Sequence, residues 1–353
     1  MVAQEISNLL VSVRIRFPAQ MKERIWFLSP PVNVPTGGIN NFYRLCQIAE
    51  EIGIEARVIS IIPYSHPDPS DLSKYWQPVN DVGFRYDMFN IPEINPGDII
   101  VQPEIYNWKS NFSVPVRRVT YIQNWAIASP HNWENHYWVY NNMTFMTYCI
   151  ESVAKKDYPF RGRVSSGNMT LDMTDSFIKS NKLKWSTVSP YFLKEDFMIS
   201  DNKVIDIVMF PRKSPQIVEI FKKHFGDKLF IVDGVTPGEV KRILSRTKII
   251  VLPSAAEGLC FPAIEAMLSG CVVVTWNCGA PEDYVIDGVT GKLVEYGDVD
   301  SLLQKTNSLL ENPDEIKSIS EKAYDLITNL YTKEQSKREL LLSYYSSLQI
   351  NPE

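Results

Sequence analysis

The sequence predicts an α/β fold with two domains, each built on a parallel sheet. Its 353 residues correspond to about two domains, at roughly 150 residues per domain. Short apolar runs alternate with helical patterns, which is typical of parallel sheets covered by helices. A second such series begins after residues 190–203. We therefore expect an N-terminal domain over 1–195, a C-terminal domain over 203–330, and a terminal helix, 331–353, that packs back toward the N-terminal domain.

Within the first domain, the pattern begins with a strand, a loop that contains Gly37 and Gly38, and a helix over about 40–52. A Pro- and Asp-rich loop, 63–80, follows the second strand. Residues 124–140 are aromatic and are predicted to be irregular. The strands predicted for this domain are 25–28, 56–62, 98–102, 118–123 and 144–150.

In the second domain, Thr236 and Pro237 predict a helix N-terminus, because threonine caps helices and proline suits the first helical position. The tail over 298–348 has a helical pattern almost throughout. Ligands bind outside the carboxyl ends of strands in open α/β sheets, so two facing sheets predict a cleft between the domains. The predicted strands are 204–210, 229–232, 248–252 and 271–276, and the predicted helices are 216–225, 237–244 and 262–268.

Composition excludes several classes of protein. Hydrophobic residues make up 44% and charged residues 22%, as in ordinary globular proteins. The net charge of −5 gives no electrostatic support for a nucleic-acid binder, which needs a concentrated excess of Lys and Arg. Five cysteines without a C-x-x-C spacing indicate neither a disulfide framework nor a zinc site.

We expect a cytoplasmic protein. No apolar run approaches the ~20 residues that span a bilayer, and residues 1–24 lack the ordered features of a secretory signal. A basic cluster is compatible with contact at the inner face of a membrane or with a solvated surface, and the oligomeric state is not predicted. The cluster consists of Lys155, Lys156, Arg161 and Arg163.

The segment after the predicted strand 248–252 carries the strongest chemical pattern. It places Glu257 and Gly258 in a loop and Glu265 in the first turn of the next helix. Unpaired backbone amides at a helix start, together with the helix dipole, suit a diphosphate. Glu265 could accept hydrogen bonds from a vicinal diol, while Glu257 could face a sugar. The alternative is a plain strand–loop–helix connection with capping glutamates.

Two further groups of residues suggest ligand contacts. Arg212 and Lys213 stand at a helix start, where positive charge opposes the dipole and so suggests a bound anion, or else they form a solvated basic pair. Gly37 and Gly38 allow the backbone to approach a phosphate or sugar, although a simple turn explains them equally well. The full G-x-G-x-x-G pattern is missing, which counts against a nicotinamide dinucleotide.

The aromatic segment 121–140 is a candidate acceptor wall, because aromatic faces beside amides suit sugars. Packing beneath an irregular loop is the alternative. His131 and His136 lack the H-E-x-x-H frame, so zinc is not expected. The acceptor candidates are Gln123, Asn124, Trp125 and His131.

The run Pro253-Ser254…Glu257-Gly258…Pro262…Glu265-Ala266-Met267…Gly270 resembles the E-x7-E motif of glycosyltransferase family 4. Gly279-Ala280-Pro281-Glu282 and Gly288-Val289-Thr290-Gly291 match as well. The resemblance covers about 203–330 well and the first domain loosely. It implies a GT-B fold, in which two Rossmann-like domains face a central cleft.

The resemblance also implies residue roles. Glu265 would bind the nucleotide ribose and Glu257 the donor sugar, while Arg212 and Lys213 would neutralise the leaving diphosphate. Cys260 departs from the family, which has a glycine there. The remaining donor-binding candidates are Gly258, Leu259, Cys260 and Phe261 around the sugar, Gly234 and Val235 beside the base, and Gly37 and Gly38.

We therefore expect a retaining, metal-independent glycosyltransferase without a cofactor. It would move a sugar from a nucleotide diphosphate donor to a glycan or other hydroxyl acceptor, in cell-surface polysaccharide or glycoconjugate synthesis. Three alternatives stay open. A phosphorylase-like enzyme of the same fold would carry a pyridoxal cofactor, which an absorbing chromophore in the purified protein would reveal. A nucleotide-sugar epimerase of the same fold would form product without an acceptor, and a non-catalytic sugar-binding protein would bind without turnover.

Overall fold

The computed structural model describes residues 23–29, 37–60, 94–103, 114–123, 137–140, 184–254 and 257–349. These residues form two parallel sheets covered by helices, which confirms the predicted α/β class. The predicted strand 144–150, the predicted loop 63–80 and the basic cluster within 155–163 lie outside the described residues.

The first sheet has six parallel strands in the order β2-β1-β3-β4-β5-β6. Every residue of β1 is buried, as expected for a strand covered on both faces. We predicted an irregular segment at 124–140, which is wrong for 137–140, and we did not predict β6. The strands are β1 Ile25–Ser29, β2 Ala56–Ser60, β3 Ile99–Pro103, β4 Arg117–Ile122, β5 Tyr137–Tyr140 and β6 Lys184–Thr187.

Helix α1, Gly37–Glu51, covers one face of this sheet with its apolar stripe. The ring of Phe42 lies between those of Phe27 and Tyr121, with both centroid distances at 5.8 Å. The amide of Asn41 donates to the Tyr121 hydroxyl, at 3.0 Å, and that hydroxyl donates to the Val188 carbonyl, at 2.7 Å. The helix is therefore fixed to the sheet and to the chain that leaves β6.

The second sheet has five parallel strands in the order β11-β10-β9-β7-β8. Successive connections run to opposite sides of β7, so the strand order reverses between β7 and β9, which is where doubly wound sheets bind ligands. The strands are β7 Ile205–Met209, β8 Leu229–Ile231, β9 Thr247–Leu252, β10 Val272–Trp276 and β11 Lys292–Val294, and the helices between them are α2 Pro215–Phe225, α3 Pro237–Ser245 and α4 Phe261–Leu268.

The helical tail consists of α5 Val299–Glu311, α6 Pro313–Leu330 and α7 Lys333–Ser347. Helix α6 packs against α4 in the core of the second sheet. Helix α7 instead places Leu340, Leu341 and Tyr344 in the core of the first sheet. We call the first sheet with α1 and α7 the first lobe, and the second sheet with α2 to α6 the second lobe.

The chain passes between the lobes twice, and the two passages touch. The Phe192 amide donates to the Tyr331 carbonyl at 3.1 Å, and the two rings lie 6.3 Å apart. Among the described helices, none is both long enough and apolar enough to cross a bilayer.

Candidate functional site

The loops that follow β7 and β9 meet at the point where the strand order reverses. The buried Ser214 hydroxyl, after β7, donates a hydrogen bond to the Pro253 carbonyl, after β9. Arg212 and Lys213 belong to one 3₁₀ turn, Pro211–Lys213, between β7 and Ser214. The Arg212 side chain is exposed and forms no hydrogen bond or ion pair within the described parts of the chain, whereas the Lys213 side chain lies outside them. The carboxyl edge of the second sheet therefore carries the exposed guanidinium of Arg212 on a 3₁₀ turn.

Glu257 is held between the loops after β9 and β10. Its amide donates to the Cys278 carbonyl at 3.1 Å, and it pairs in parallel with Gly279. Its side chain is largely buried, with 7% of the residue exposed. The candidate catalytic residues Arg212 and Glu257 thus belong to loops at the carboxyl edge of adjoining strands.

The candidate donor loop continues through Gly258, Leu259, Cys260 and Phe261. Cys260 has φ +57° and ψ +65°, and it is the one non-glycine residue with positive φ among those described. A side chain disfavours this left-handed conformation, whereas glycine adopts it readily. The Cys260 carbonyl accepts hydrogen bonds from the amides of Ala263 and Ile264, at 2.9 and 3.4 Å.

Those bonds start α4 at Phe261, one residue before the predicted start. Glu265 is therefore the fifth residue of α4 and lies beyond its first turn, so the predicted first-turn position is wrong. Burial raises the pKa of the partly buried Glu265 carboxyl to about 7, and the positive charges of Arg44 and Lys241 act in the opposite direction. The Glu265 carboxyl thus interacts electrostatically with two basic side chains.

The first of these two side chains, Arg44, belongs to helix α1 of the first lobe. Its guanidinium donates to the Tyr191 carbonyl at 2.9 Å and lies 5.4 Å from the centre of the Phe192 ring. Phe192 packs edge-on against Phe261, with centroids 5.1 Å apart. Neither Arg44 nor Lys241 was among the predicted site residues, and nothing in the sequence around them singled either one out.

The candidate base loop lies after β8 at the same edge. Gly234 has φ +66° and is exposed, and Val235 is 38% exposed. Thr236 begins α3 with a capping box: its hydroxyl accepts from the Glu239 amide at 3.3 Å, and the Glu239 carboxylate accepts from the Thr236 amide at 2.9 Å. The cap fixes the end of the loop, and α3 also carries Lys241.

In the first lobe, Gly37 and Gly38 are the first two residues of α1, so their predicted place in a loop before the helix is wrong. A Cβ added to Gly38 would lie 3.0 Å from Oε1 of Gln123, which directly follows β4. A candidate donor residue and a candidate acceptor residue are therefore neighbours. The other acceptor candidates, Asn124, Trp125 and His131, lie outside the described residues.

No group of three or more His, Cys, Asp or Glu residues within the described ranges is arranged to hold a metal ion. The cations of the candidate site are Arg212, Arg44 and Lys241, with the Lys213 side chain not described. These basic side chains would attract an anionic ligand.

Comparisons with known proteins point to one class of enzyme. Residues 213–326 match the family model described as "Glycosyl transferases group 1". The MMP alpha-(1->4)-mannosyltransferase of Mycolicibacterium hassiacum is 35% identical over 89 residues, which are 25% of this chain and 22% of that protein. The match thus spans less than a quarter of the length of this curated relative.

Solved structures resemble nearly the whole chain. Sucrose-phosphate synthase from Thermosynechococcus elongatus aligns with a TM-score of 0.64 and 12% identity, over 92% of this chain and 98% of that chain. A Staphylococcus aureus TarM variant, in complex with fondaparinux, alpha-GlcNAc-glycerol and UDP, aligns with a TM-score of 0.60 and 12% identity, over 93% and 100%. These likenesses and the two parallel sheets confirm the predicted GT-B fold.

Proposed function

We propose that this protein is a retaining glycosyltransferase of family 4 that uses a nucleotide diphosphate sugar and requires no metal. The proposal is carried by one observation: Ser214 and Pro253 join the loops after β7 and β9, so that Arg212 and Glu257 lie on connected loops where doubly wound sheets bind ligands. The match of 213–326 to group 1 glycosyltransferases supports the same assignment.

The donor is proposed to lie along the carboxyl edge of the second sheet. Arg212 and Lys213 would face the diphosphate, because a metal-free transferase must neutralise the leaving group with its own cations. Glu265 would accept hydrogen bonds from the ribose, and Gly234 and Val235 would border the base. The UDP in the related TarM structure is consistent with a nucleoside diphosphate as part of the donor.

The sugar is proposed to lie against Glu257 and the loop Gly258–Phe261, with Gly37 and Gly38 approaching it from the first lobe. The acceptor would lie beside Gln123, Asn124, Trp125 and His131. An acceptor on a glycan would place the reaction in cell-surface polysaccharide or glycoconjugate synthesis.

Retention follows from attack on the same face as departure. The acceptor hydroxyl oxygen forms a bond to the anomeric carbon while the bond from that carbon to the diphosphate oxygen breaks. The proton of the hydroxyl passes to the departing diphosphate oxygen, so no protein nucleophile is required. Arg212 would stabilise the negative charge that develops on the diphosphate, and Glu257 would hold the sugar hydroxyls.

The proposal is tested first by binding. UDP, GDP and ADP, each alone and as the glucose and mannose conjugates, are screened for a rise in the melting temperature, because a ligand of the folded state stabilises it. The preferred conjugate is then incubated with and without glycan acceptors. We expect release of nucleoside diphosphate and an acceptor-linked sugar with the anomeric configuration of the donor.

Each other outcome has a clear meaning. An isomerised donor that forms without acceptor would identify an epimerase, and binding without turnover across the acceptors would identify a sugar-binding protein. A protein that binds none of the nucleotides contradicts the proposal.

A further inference from the structure

A buried tyrosine lies directly behind the candidate donor loop. Tyr284 is fully buried, and its hydroxyl oxygen lies 2.6 Å from the carbonyl oxygen of Leu259 and 3.3 Å from that of Cys260. Tyr284 follows the 3₁₀ turn Ala280–Asp283, so it reaches this loop from the segment after β10. One hydroxyl thus contacts two successive carbonyls of a loop far away in sequence.

This contact determines where the neighbouring amides point. In a trans peptide the N–H is directed opposite to the C=O. The carbonyls of Leu259 and Cys260 face the buried hydroxyl, so the N–H groups of Cys260 and Phe261 are directed away from it. The Phe261 amide, at the first position of α4, donates to no group in the described part of the chain. It is therefore available to an outside acceptor.

The same contact supports an unfavourable backbone conformation. Cys260 lies in the left-handed region, with φ +57°, where a side chain crowds the backbone. The Tyr284 hydroxyl donates to the carbonyls on either side of the Cys260 Cα and so holds this conformation in place. A glycine would adopt it without crowding, so glycine at 260 should reduce the dependence of the loop on Tyr284.

Tyr284 is itself rigidly held. Its carbonyl accepts a hydrogen bond from the Thr290 hydroxyl at 2.6 Å, and that hydroxyl accepts one from the Ile286 amide at 2.8 Å. Its ring packs edge-on against Tyr331, with centroids 6.2 Å apart. Burial, and next the neighbouring Cys260, Tyr331 and Glu257, raise the pKa of Tyr284, so the hydroxyl keeps its proton and acts as a donor at neutral pH.

We propose that Tyr284 is a positioning residue that holds the peptides Leu259–Cys260 and Cys260–Phe261 so that the Phe261 amide faces the donor. The inference rests on the proposed function. It adds that the donor loop is shaped from behind, by a residue that does not touch the ligand.

The test compares Tyr284→Phe with Tyr331→Phe. Both variants remove a phenolic hydroxyl from neighbouring buried rings, but the Tyr331 hydroxyl forms no hydrogen bond within the described residues. Binding of the nucleoside diphosphate that stabilises the wild-type protein is measured by calorimetry, together with kcat and KM for its sugar conjugate. We expect Tyr284→Phe to weaken nucleotide binding about tenfold, as for a lost hydrogen bond, and Tyr331→Phe to leave it near the wild-type value.

Cys260→Gly separates positioning from general destabilisation. In the Tyr284→Phe background it should restore a large part of the lost affinity, because glycine tolerates the left-handed conformation by itself. A merely structural role for Tyr284 would lower the melting temperature without this rescue. Amide hydrogen exchange of residues 258–262 should be faster in Tyr284→Phe than in Tyr331→Phe.

If Tyr284→Phe does not fold, Thr290→Val is used in its place. This substitution removes the hydrogen bond that holds the Tyr284 backbone, so it should weaken nucleotide binding. Cys260→Gly should restore that binding as well. Equal nucleotide affinity in the wild-type and Tyr284→Phe proteins overturns the inference and leaves the proposed function intact. If the wild-type protein binds none of UDP, GDP and ADP, both the proposed function and the inference about Tyr284 are wrong. The two failures are distinguishable, because this one appears in the protein without any substitution.

Discussion

Arg44 of the first lobe and Glu265 of the second are electrostatically coupled. Burial raises the pKa of the Glu265 carboxyl to about 7. The positive charges of Arg44 and Lys241 oppose this rise, and the effect of Arg44 is the larger. Arg44 is anchored to the passage between the lobes through the Tyr191 carbonyl. The ionisation of Glu265, the residue proposed to bind the ribose, therefore depends on a residue from the other lobe.

The first prediction is that nucleotide affinity increases between pH 6 and pH 8, with a midpoint near pH 7. The ionised Glu265 carboxylate accepts hydrogen bonds from ribose hydroxyls better than the protonated acid, and the pKa of about 7 places its ionisation in this window. Calorimetric titration of the wild-type protein across this range measures it. Glu265→Gln should bind more weakly at pH 8 and lose the pH dependence, and an unchanged profile in that variant would contradict the prediction.

The same shift predicts a change in stability with the opposite sign. The pKa of Glu265 is higher in the folded protein than its ordinary value of 4.5, so the folded state binds more protons in this window. Its contribution to the free energy of unfolding therefore falls as pH rises from about 4.5 to 7. Glutamine does not ionise, so Glu265→Gln does not undergo this fall. Its free energy of unfolding, relative to that of wild type, should be about 1–2 kcal/mol higher at pH 8 than at pH 5. The partial exposure of the side chain keeps this difference small. Urea denaturation at both pH values measures the difference.

A second prediction concerns Arg44. Arg44→Met removes the positive charge, so the pKa of Glu265 should rise further and the midpoint of nucleotide affinity should move above pH 7. Arg44→Lys keeps the charge while losing the planar guanidinium above Phe192, and serves as the matched control. We expect its midpoint to stay closer to the wild-type value. The same midpoint in Arg44→Met and wild type would show that this charge does not act on Glu265.

The third prediction is that Arg212→Ala and Glu257→Gln each reduce transfer by about 10²–10³-fold, the effect of losing one group that stabilises transition-state charge or orientation. Arg212 is exposed, and glutamine keeps the shape of Glu257, so both variants should melt near the wild-type temperature. Arg242→Ala, on the exposed surface of α3, removes a comparable charge outside the proposed donor site and is the control. Transfer at the wild-type rate in both variants would refute the assignment.

The fourth prediction is structural. Lys203 donates to the carbonyls of Ser245, Thr247 and Ser269, at 3.3, 2.8 and 2.8 Å, and so ties the ends of α3 and α4 to the start of β9. Burial lowers its pKa. Lys203→Met leaves the carbonyls without this donor and should reduce the free energy of unfolding by about 2–4 kcal/mol.

Lys222→Met is the control for that experiment, because Lys222 is exposed on α2 and its one ion pair with a described residue is to Glu219, three residues away. It should change the free energy of unfolding by less than about 0.5 kcal/mol. Equal urea midpoints for the two variants would show that the three carbonyl contacts of Lys203 contribute little.

Sequence patterns located most elements of the second sheet to within one or two residues. Strands β9 and β10 are continuous buried runs, and Thr236 with Pro237 marks a helix start by chemistry local to the chain. The patterns failed for β5, β6 and β11. These strands are three or four residues long, and β6, Lys184–Thr187, carries only one strongly apolar side chain, so their pairing with a neighbour decides their conformation.

Sequence patterns likewise indicated some features of the candidate site and missed others. The E-x7-E spacing identified Glu257 and Glu265, and the basic pair identified Arg212, because local order of residues carries those patterns. Their roles remain predictions. The start of α4 differed by one residue because Cys260 adopts a left-handed conformation, which a cysteine in the sequence does not indicate.

The amino-acid sequence by itself determined two parallel α/β sheets, because apolar periodicity and helix caps depend on neighbouring residues. Only the tertiary structure decided which distant groups act on the proposed donor site: the charge of Arg44 on Glu265, Ser214 against Pro253, and Tyr284 behind Leu259 and Cys260. These contacts join segments that come together only once the strands have paired and the helices have packed. Charge, hydrogen bonding and burial act through space, so their effect on a carboxyl or a peptide follows from distance in the fold rather than position along the chain.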